Sequence, residues 1–321
     1  MNARDKYWRT PFHVAAAQGA VECVELLEPK IGNINITDRA GRSGLHHACY
    51  AGHVSMVSRI LAFCRLCLSN IFILQVRFLV ERGANVNALD KKERRPLHWA
   101  AHQGSEEAVR LLVAAGADVG ASDKEQYTAL HAAAAAGNLG AVSALLELGA
   151  SVEVVNRAGN TPLHTAVING QVDVVQEMLE VEGVRLDLTN HLGHTALHLA
   201  AAATHSEACL RLLLAEGAEV RARACDGRTV LHLAAIHGRL ARIELLVKAG
   251  AQVDERDRQG RTALHIAAFH GHELLVAALV LRGADVDMAD HAGLTPLHMA
   301  AAAGRLEAAR KLISAGAKVI L

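Results

Sequence analysis

Short apolar stripes, each about two helical turns long, alternate with polar turns along this chain. In residues 156–189, Gly159 is placed to give a tight turn its positive φ, and Thr161 and Pro162 then begin a helix. Gly170 is placed to end that helix as a left-handed cap. Two apolar stripes flank this glycine: Leu163, Ala166 and Val167 before it, and Val172, Val175 and Leu179 after it. The segment therefore predicts two short helices packed back to back.

The same unit recurs nine times, and each copy is marked by T-P-L-H or a variant of it. Successive histidines of this motif are 33 or 34 residues apart, except for one interval of 52. The nine histidines, called here the framework histidines, are His13, His46, His98, His131, His164, His198, His232, His265 and His298. We predict that each bonds to backbone and to the motif threonine, which is a structural role and not metal binding.

A period near 33 with T-P-L-H-x-A is typical of ankyrin repeats. The resemblance implies an all-α repeat solenoid of helix-turn-helix units with β-hairpin tips, in which each unit packs only on its neighbours. One array is expected over 1–321, and both ends lack a polar capping repeat, so we expect a monomeric piece of a longer array. The predicted repeats are 5–37, 38–89, 90–122, 123–155, 156–189, 190–223, 224–256, 257–289 and 290–321.

The second repeat is longer than the others because it carries an apolar insert at 62–80. Deleting the insert would join Leu61 to Glu81 and restore an ordinary second helix. Its Arg65, Asn70, Gln75 and Arg77 argue against a membrane span. Three hypotheses remain: a docking loop or extended helix, a zinc half-site at Cys64 and Cys67, and a non-native insertion from an imperfect gene model. The last is preferred, and it predicts that removing 62–80 raises the melting temperature.

Composition narrows the function classes. The chain is 51% hydrophobic but only 3% aromatic, so the core must consist of Ala, Leu and Val. Thirty-three Lys and Arg balance 33 Asp and Glu, which gives no overall field toward nucleic acid or membranes. Neither a signal peptide nor a secreted cysteine framework is evident, which favours the cytoplasm or nucleus. No catalytic or phosphate-binding motif occurs, so we expect no enzyme, cofactor or metal.

Protein partners are therefore expected, on positions that packing does not use. The hairpin tips of repeats one to four are basic, and an acidic protein partner suits them better than nucleic acid does. The candidate tip residues are Lys6, Trp8, Arg39, Arg42, Lys91, Lys92, Arg94, Arg95 and Lys124. The candidate groove residues, at the ends of the first helices, are Tyr50, His102, Gln103, Ile168, Asn169, Ile236, His237, Phe269 and His270.

Three tips replace the usual turn glycine: Trp8 in D-K-Y-W-R-T-P, Glu93 in D-K-K-E-R-R-P-L-H-W-A-A and Gln126 in D-K-E-Q-Y-T-A-L-H-A-A-A. With A-A-A-T-H-S-E-A-C-L-R-L-L and H-G-H-E-L-L, they resemble the regulatory ankyrin-repeat subunits of serine/threonine protein phosphatase 6, from residue 2 to near residue 285. The resemblance implies a non-catalytic scaffold that joins the phosphatase 6 catalytic subunit to its other regulatory subunits. The insert, the chain length and the ninth repeat depart from that family.

Two alternatives remain open. The chain could be a generic ankyrin adaptor, or the regulatory ankyrin segment of a larger channel or enzyme. Fold alone does not separate these classes from the phosphatase scaffold.

Overall fold

The structure, a computed structural model, describes residues 3–51 and 65–319. These residues form eighteen α-helices in nine pairs and no β-strand. The first helices of the pairs are α1 (Pro11–Gln18), α3 (Gly44–Tyr50), α5 (Pro96–Gln103), α7 (Ala129–Ala136), α9 (Pro162–Ile168), α11 (Ala196–Ala202), α13 (Val230–Ile236), α15 (Ala263–His270) and α17 (Pro296–Ala302). The second helices are α2 (Val21–Ile31), α4 (Arg65–Glu81), α6 (Glu106–Ala114), α8 (Leu139–Glu147), α10 (Val172–Leu179), α12 (Glu207–Ala215), α14 (Leu240–Lys248), α16 (Glu273–Leu281) and α18 (Leu306–Ser314).

The helices divide into two compact units. Unit 1 is Met1–Arg157 with Thr161–Ala166, and unit 2 is Ala158–Asn160 with Val167–Leu321. Within each unit, consecutive first helices pack against one another, and their small residues are fully buried, as Ala100 and Ala133 are in unit 1 and Ala234 and Ala267 in unit 2. The predicted all-α ankyrin-repeat solenoid is confirmed. The hairpins are turns, with single antiparallel bridges such as Thr37 to Ser43.

The framework histidines have the predicted structural role. In α1, the Thr10 backbone N–H donates to His13 Nδ1 at 3.2 Å, and the Thr10 hydroxyl lies 2.8 Å from the same nitrogen. Because Nδ1 accepts, Nε2 carries the proton and donates at 3.0 Å to Ile36 O, two residues before the tip of the second repeat. In unit 1, His46 and His98 donate to a tip carbonyl of the following repeat, as His198, His232 and His265 do in unit 2. These five histidines thus join their repeats to the ones that follow.

Segment 156–189 mostly follows its prediction. Gly159 and Gly170 have φ of 79° and 69°, and Thr161 Oγ1 accepts the His164 N–H at 3.3 Å. The second stripe is wrong in register, because Val174, Val175 and Met178 are buried in α10, whereas Val172 and Leu179 are only half-buried. Packing on two sides selects a different face of this short helix from the one that spacing alone suggests.

A second set of hydrogen bonds between repeats satisfies the carbonyls at the ends of the first helices. The residue that follows a cap glycine donates to the last carbonyls of the preceding repeat's first helix. Asn138 Nδ2 reaches His102 O at 2.6 Å in unit 1, and Arg239 Nε reaches Ala202 O at 3.3 Å in unit 2. His272 and Arg305 bond to Ile236 O and Phe269 O in the same way. These carbonyls have no partner within their own helix, so the neighbouring repeat satisfies them.

In repeat two, residues of the insert form the second helix. Residues 65–80 run without a break into Glu81 as α4, and Val76 and Leu79 fill the positions that Val109 and Leu112 fill in α6. Gln75, also fully buried, donates to Ala15 O at 3.4 Å, while its Oε1 has no partner. Residues 62–64 and the side chains of Cys64 and Cys67 lie outside the part that the structure describes, so the zinc and stability hypotheses stay predictions.

Repeat six lacks a cap glycine, since α11 ends at Ala203 in extended conformation. An arginine from the next repeat replaces the cap. Arg242, at the same register as Gln75, is buried and donates to Ala201 O at 2.9 Å and to Thr204 O at 3.1 Å. Arg242 is therefore a structural cation that holds an irregular loop.

Candidate interaction surface

The hairpin tips are tight turns built by one side chain each. In tip two, Asp38 Oδ1 accepts the Ala40 N–H at 2.8 Å and the Arg42 N–H at 3.0 Å. Neighbouring tips are joined by backbone bonds, such as Lys91 N–H to Ala40 O at 2.8 Å in unit 1. The equivalent bond in unit 2 joins Arg258 N–H to Asp226 O at 3.0 Å. The tips form a regular edge in each unit, and their outer side chains are free to contact a partner.

The three tips that lack glycine keep the left-handed backbone. Trp8, Glu93 and Gln126 have φ of 64°, 61° and 59°, and among the described residues they are the non-glycine positions with positive φ. L-residues pay about 1–2 kcal/mol for this conformation. All three are exposed and all lie in unit 1. Strain of this kind gathers where a side chain serves a function.

The basic tip residues divide into paired and unpaired cations. Arg42 and Arg94 are paired with Asp38 and Asp90 inside their own hairpins at 2.9 and 3.0 Å, and Arg95 is paired with Asp118 at 3.0 Å. Lys124 lies 3.9 Å from Glu93. Among the described residues, the tip cations of unit 1 with no carboxylate within 4.0 Å are Lys6, Arg39, Lys91 and Lys92, all exposed. These four give the tip edge its available charge.

Tip one adds aromatic surface to this edge. Tyr7 and Trp8 are 50% and 59% exposed. Lys6 Nζ lies 4.9 Å from the centre of the Tyr7 ring, and the Arg4 guanidinium lies 5.1 Å from the Trp8 ring. Exposed aromatic rings beside cations are characteristic of the residues that dominate protein interfaces.

The predicted groove residues of unit 1 lie at the ends of the first helices. Tyr50 is 41% exposed and meets Trp99 edge to face, with ring centres 5.0 Å apart. Sequence analysis missed Trp99. The Arg94 guanidinium lies over its ring, 4.1 Å from the ring centre. His102 is exposed and Gln103 half-buried at the end of α5. A small aromatic patch therefore adjoins the basic edge.

Unit 2 brings Ile236, Phe269 and His270 to one open groove of about 390 Å³, with His237 exposed at the end of α13. Phe269 is 47% exposed and meets His270 edge to face at 5.3 Å. Ile168 and Asn169 are exposed at the end of α9 and do not line this groove. The groove also contains Arg228, Arg261 and Met299, which sequence analysis missed. The available signal was that Arg228 and Arg261 each lie four residues before a framework histidine in successive repeats.

Burial lowers the pKa of two histidines, one in each unit, to about 4. Burial lowers the pKa of His198 to about 4, and the nearby His194 acts in the same direction. Burial, helped by Arg42, lowers the pKa of His47 to about 4, although its Nε2 lies 3.0 Å from Asp38 Oδ2.

Across residues 3–51 and 65–319, no group of three His, Cys, Asp or Glu side chains could hold a metal ion. In the same residues, no helix has the length and apolarity that crossing a bilayer requires.

Comparison with known proteins supports the repeat assignment. The family model for ankyrin repeats (3 copies) matches residues 1–70, 63–123, 115–190, 163–257 and 243–321, which together cover the chain. The human ASB11 ankyrin repeat domain superposes with a TM-score of 0.63 and 28% identity, over 71% of this chain and all of that domain.

Curated relatives are similar over about a third of this chain each. They include the probable E3 ubiquitin-protein ligase XBOS33 of Oryza sativa subsp. japonica, 32% identical over 31% of this chain and 16% of the ligase. The transient receptor potential cation channel subfamily A member 1 of Drosophila melanogaster is 33% identical over 31% of this chain and 7% of the channel. The probable 26S proteasome regulatory subunit p28 of Saccharomyces cerevisiae is 29% identical over 33% of this chain and 55% of that subunit. This chain thus matches less than two thirds of the length of each relative. On the family match and the fold, the chain belongs to the ankyrin-repeat family and is a protein-binding scaffold.

Proposed function

We propose that this chain is a non-catalytic scaffold that binds an acidic protein surface through the tip edge of unit 1. The observation that carries the proposal is the coincidence on that edge of four unpaired cations, two exposed aromatic rings and three strained side chains in left-handed backbone. None of these features is required by the repeat frame, since the tips of unit 2 have glycine at the strained position.

The partner that the sequence resemblance indicates is a phosphatase 6-type complex, with the catalytic subunit and its other regulatory subunits. The three tips that carry the resemblance are the same tips that hold the strained residues Trp8, Glu93 and Gln126. The relatives reported above belong to other functional classes, so this assignment rests on the sequence motifs. Cys23, Cys49, Cys209 and Cys225 are unpaired thiols, in keeping with a cytoplasmic or nuclear protein.

Direct binding tests the proposal. The purified full chain is immobilised and the purified phosphatase 6 catalytic subunit, alone and with its regulatory subunits, is passed over it at two salt concentrations. We expect Lys91→Glu with Lys92→Glu to weaken binding at least tenfold, and the wild-type affinity to fall as salt rises. The matched control replaces two exposed lysines outside the tips, Lys248→Glu with Lys311→Glu, and should bind like wild type.

Two results decide the matter. Binding that both double variants weaken equally would reject the tip edge as the contact. No binding of the phosphatase by a chain shown to be folded by circular dichroism would reject the phosphatase partner and leave an adaptor for other acidic proteins.

A second candidate is the ankyrin segment of a larger channel or enzyme. The ligase and channel relatives favour it, because this chain matches only 16% and 7% of their lengths. Sequencing the full transcript separates the two: further ankyrin repeats alone support the scaffold subunit, and a pore or catalytic domain supports the segment.

A further inference from the structure

Four hairpin tips hold an arginine with a carboxylate from the same tip. The Nε of Arg9, Arg42 and Arg94 donates to Asp5, Asp38 and Asp90 at 2.8, 3.0 and 3.1 Å, four residues earlier in each case. In tip eight the Nε of Arg261 donates to Asp257 at 3.0 Å. The aspartate at the first tip position is thus the regular partner of the arginine at the fifth.

Tip seven breaks this pattern. In this tip, Ala224 occupies the first position and is buried, while Arg228 remains at the fifth. Arg228 Nε is buried and has no hydrogen-bond partner. The guanidinium keeps only an ion pair from Nη1 to Asp226 at 3.1 Å. A buried charged donor without an acceptor is unfavourable. Arg228 is in this state because tip seven has no aspartate at the first position.

Arg228 borders open space on two sides. It lines the groove already described, together with Arg261, Ile236, Phe269 and Met299, and it also lines a second open groove of similar volume between tips seven and eight. None of the described residues that line the first groove is acidic, whereas Asp226 and Asp257, the ion-pair partners of the two arginines, line the second groove. An apolar floor beside two guanidinium groups is complementary to an apolar side chain next to a carboxylate.

We propose that this groove of unit 2 binds a short acidic segment of a partner protein, in which a large apolar side chain packs on Phe269 and Met299. A neighbouring Asp or Glu carboxylate of that segment then pairs with the exposed part of the Arg228 guanidinium, where Ala224 provides no carboxylate from within the hairpin. The surface is separate from the tip edge of unit 1, and the proposal does not rest on the proposed function.

Fluorescence anisotropy with the full chain tests this directly. The probes are three labelled peptides: Asp-Glu-Leu-Phe-Asp-Glu, its serine analogue Asp-Glu-Ser-Ser-Asp-Glu, and its basic analogue Lys-Lys-Leu-Phe-Lys-Lys. We expect the first to bind at least tenfold more tightly than either analogue. Ala224→Asp places the missing carboxylate inside the hairpin, so it should raise the melting temperature and weaken binding of the first peptide about tenfold.

Three further variants secure the result. Arg228→Met and Phe269→Ala remove the cation and the apolar contact and should each weaken binding about tenfold. Asn190→Asp adds the same charge at the same register in tip six, which does not line the groove, and should leave binding unchanged. Equal binding of the serine analogue, undiminished binding by folded Ala224→Asp and Arg228→Met, or full displacement by millimolar inorganic phosphate would overturn the proposal.

Discussion

Unit 1 and unit 2 share one repeat frame and differ at the positions that the frame does not use. Three tips of unit 1 carry strained Trp8, Glu93 and Gln126, whereas its second tip and the tips of unit 2 have glycine at that position. Four tip cations of unit 1 lack a carboxylate within 4.0 Å, against Arg258 alone among the described tip residues of unit 2. Unit 2 instead has an open groove lined by apolar side chains and two arginines. A buried arginine Nε without a hydrogen-bond partner occurs in both units, at Arg95 in unit 1 and at Arg228 in unit 2. Equal folds therefore offer chemically different surfaces, one charged edge and one mixed groove.

The two units also differ inside. A glycine follows each second helix, and the residue eight positions before that glycine is buried. This residue is Ala108 in α6 and Ala141 in α8, but it is Gln75 in α4 and Arg242 in α14. Gln75 leaves one polar atom without a partner, while Arg242 makes two bonds to backbone carbonyls. The same register thus holds a poorly satisfied polar group in unit 1 and a well satisfied one in unit 2.

Replacing these two residues should give the largest contrast. Arg242→Ala should lower the free energy of unfolding by about 3 kcal/mol, because two carbonyls lose their donors and a cavity is left. Gln75→Leu should change it by less than about 1 kcal/mol, since the orphaned amide oxygen is removed with it. Urea denaturation followed by circular dichroism measures both. Equal losses would show that the register, and not the bonding, sets the cost.

Acid should affect the units alike. His47 in unit 1 and His198 in unit 2 each have a pKa of about 4, and each is neutral in the fold. Below pH 6.5 the unfolded chain binds protons that the folded chain does not, so stability falls as pH drops from 6.5 toward 4. At pH 5 the loss is about 2 kcal/mol per histidine.

Hydrogen exchange at pH 7 and pH 5, corrected for intrinsic rates, follows each unit separately. Protection should fall in α3 and in α11 together. His47→Asn should reduce the pH dependence around α3 and leave that around α11 unchanged. Acid loss confined to one unit would contradict the shared role of these histidines.

The tip backbone should respond in opposite directions in the two units. Glu93→Gly should stabilise by about 1 kcal/mol, because glycine adopts the left-handed region without strain. Gly227→Ala should destabilise by about 2 kcal/mol, because a Cβ there would lie 2.9 Å from Arg258 N in addition to the backbone strain. Gly293→Ala is the control. A Cβ at that tip meets no atom within 4 Å, so only backbone strain should lower its stability. Thermal melting ranks the three variants, and a destabilised Glu93→Gly would mean that the glutamate has a structural role.

The smallest effect on stability is expected for the charged edge. Lys91→Glu with Lys92→Glu should change the free energy of unfolding by less than about 0.5 kcal/mol, because both side chains are exposed and unpaired. The melting curve should overlay that of wild type while partner binding is lost. A large fall in melting temperature would assign these lysines to the fold and remove them from the binding surface.

Sequence periodicity predicted the helix pairs, the framework histidines and the unusual turns, because these depend on local spacing. It did not predict that Arg42 and Arg94 are paired within their hairpins, since spacing gives register but not rotamer. Of the residues that line the groove of unit 2, sequence analysis named Ile236, Phe269 and His270 but missed Arg228, Arg261 and Met299, because these residues come together from three successive repeats. The use of Val76 and Leu79 from the insert was missed as well, because two segments of similar pattern compete for one place and only packing chooses between them.

Both sets of hydrogen bonds between repeats point in the same direction along the chain. Five framework histidines donate to a carbonyl of the next repeat. In both units, the terminal carbonyls of a first helix accept a hydrogen bond from a side chain of the next repeat. During synthesis from the N-terminus, each emerging repeat therefore stays incomplete until its successor has left the ribosome. We expect folding on the ribosome to lag one repeat, or some 33 residues, behind emergence. The smallest segment that can complete a first helix is then two repeats, so a nascent chain should gain protease resistance in steps one repeat long.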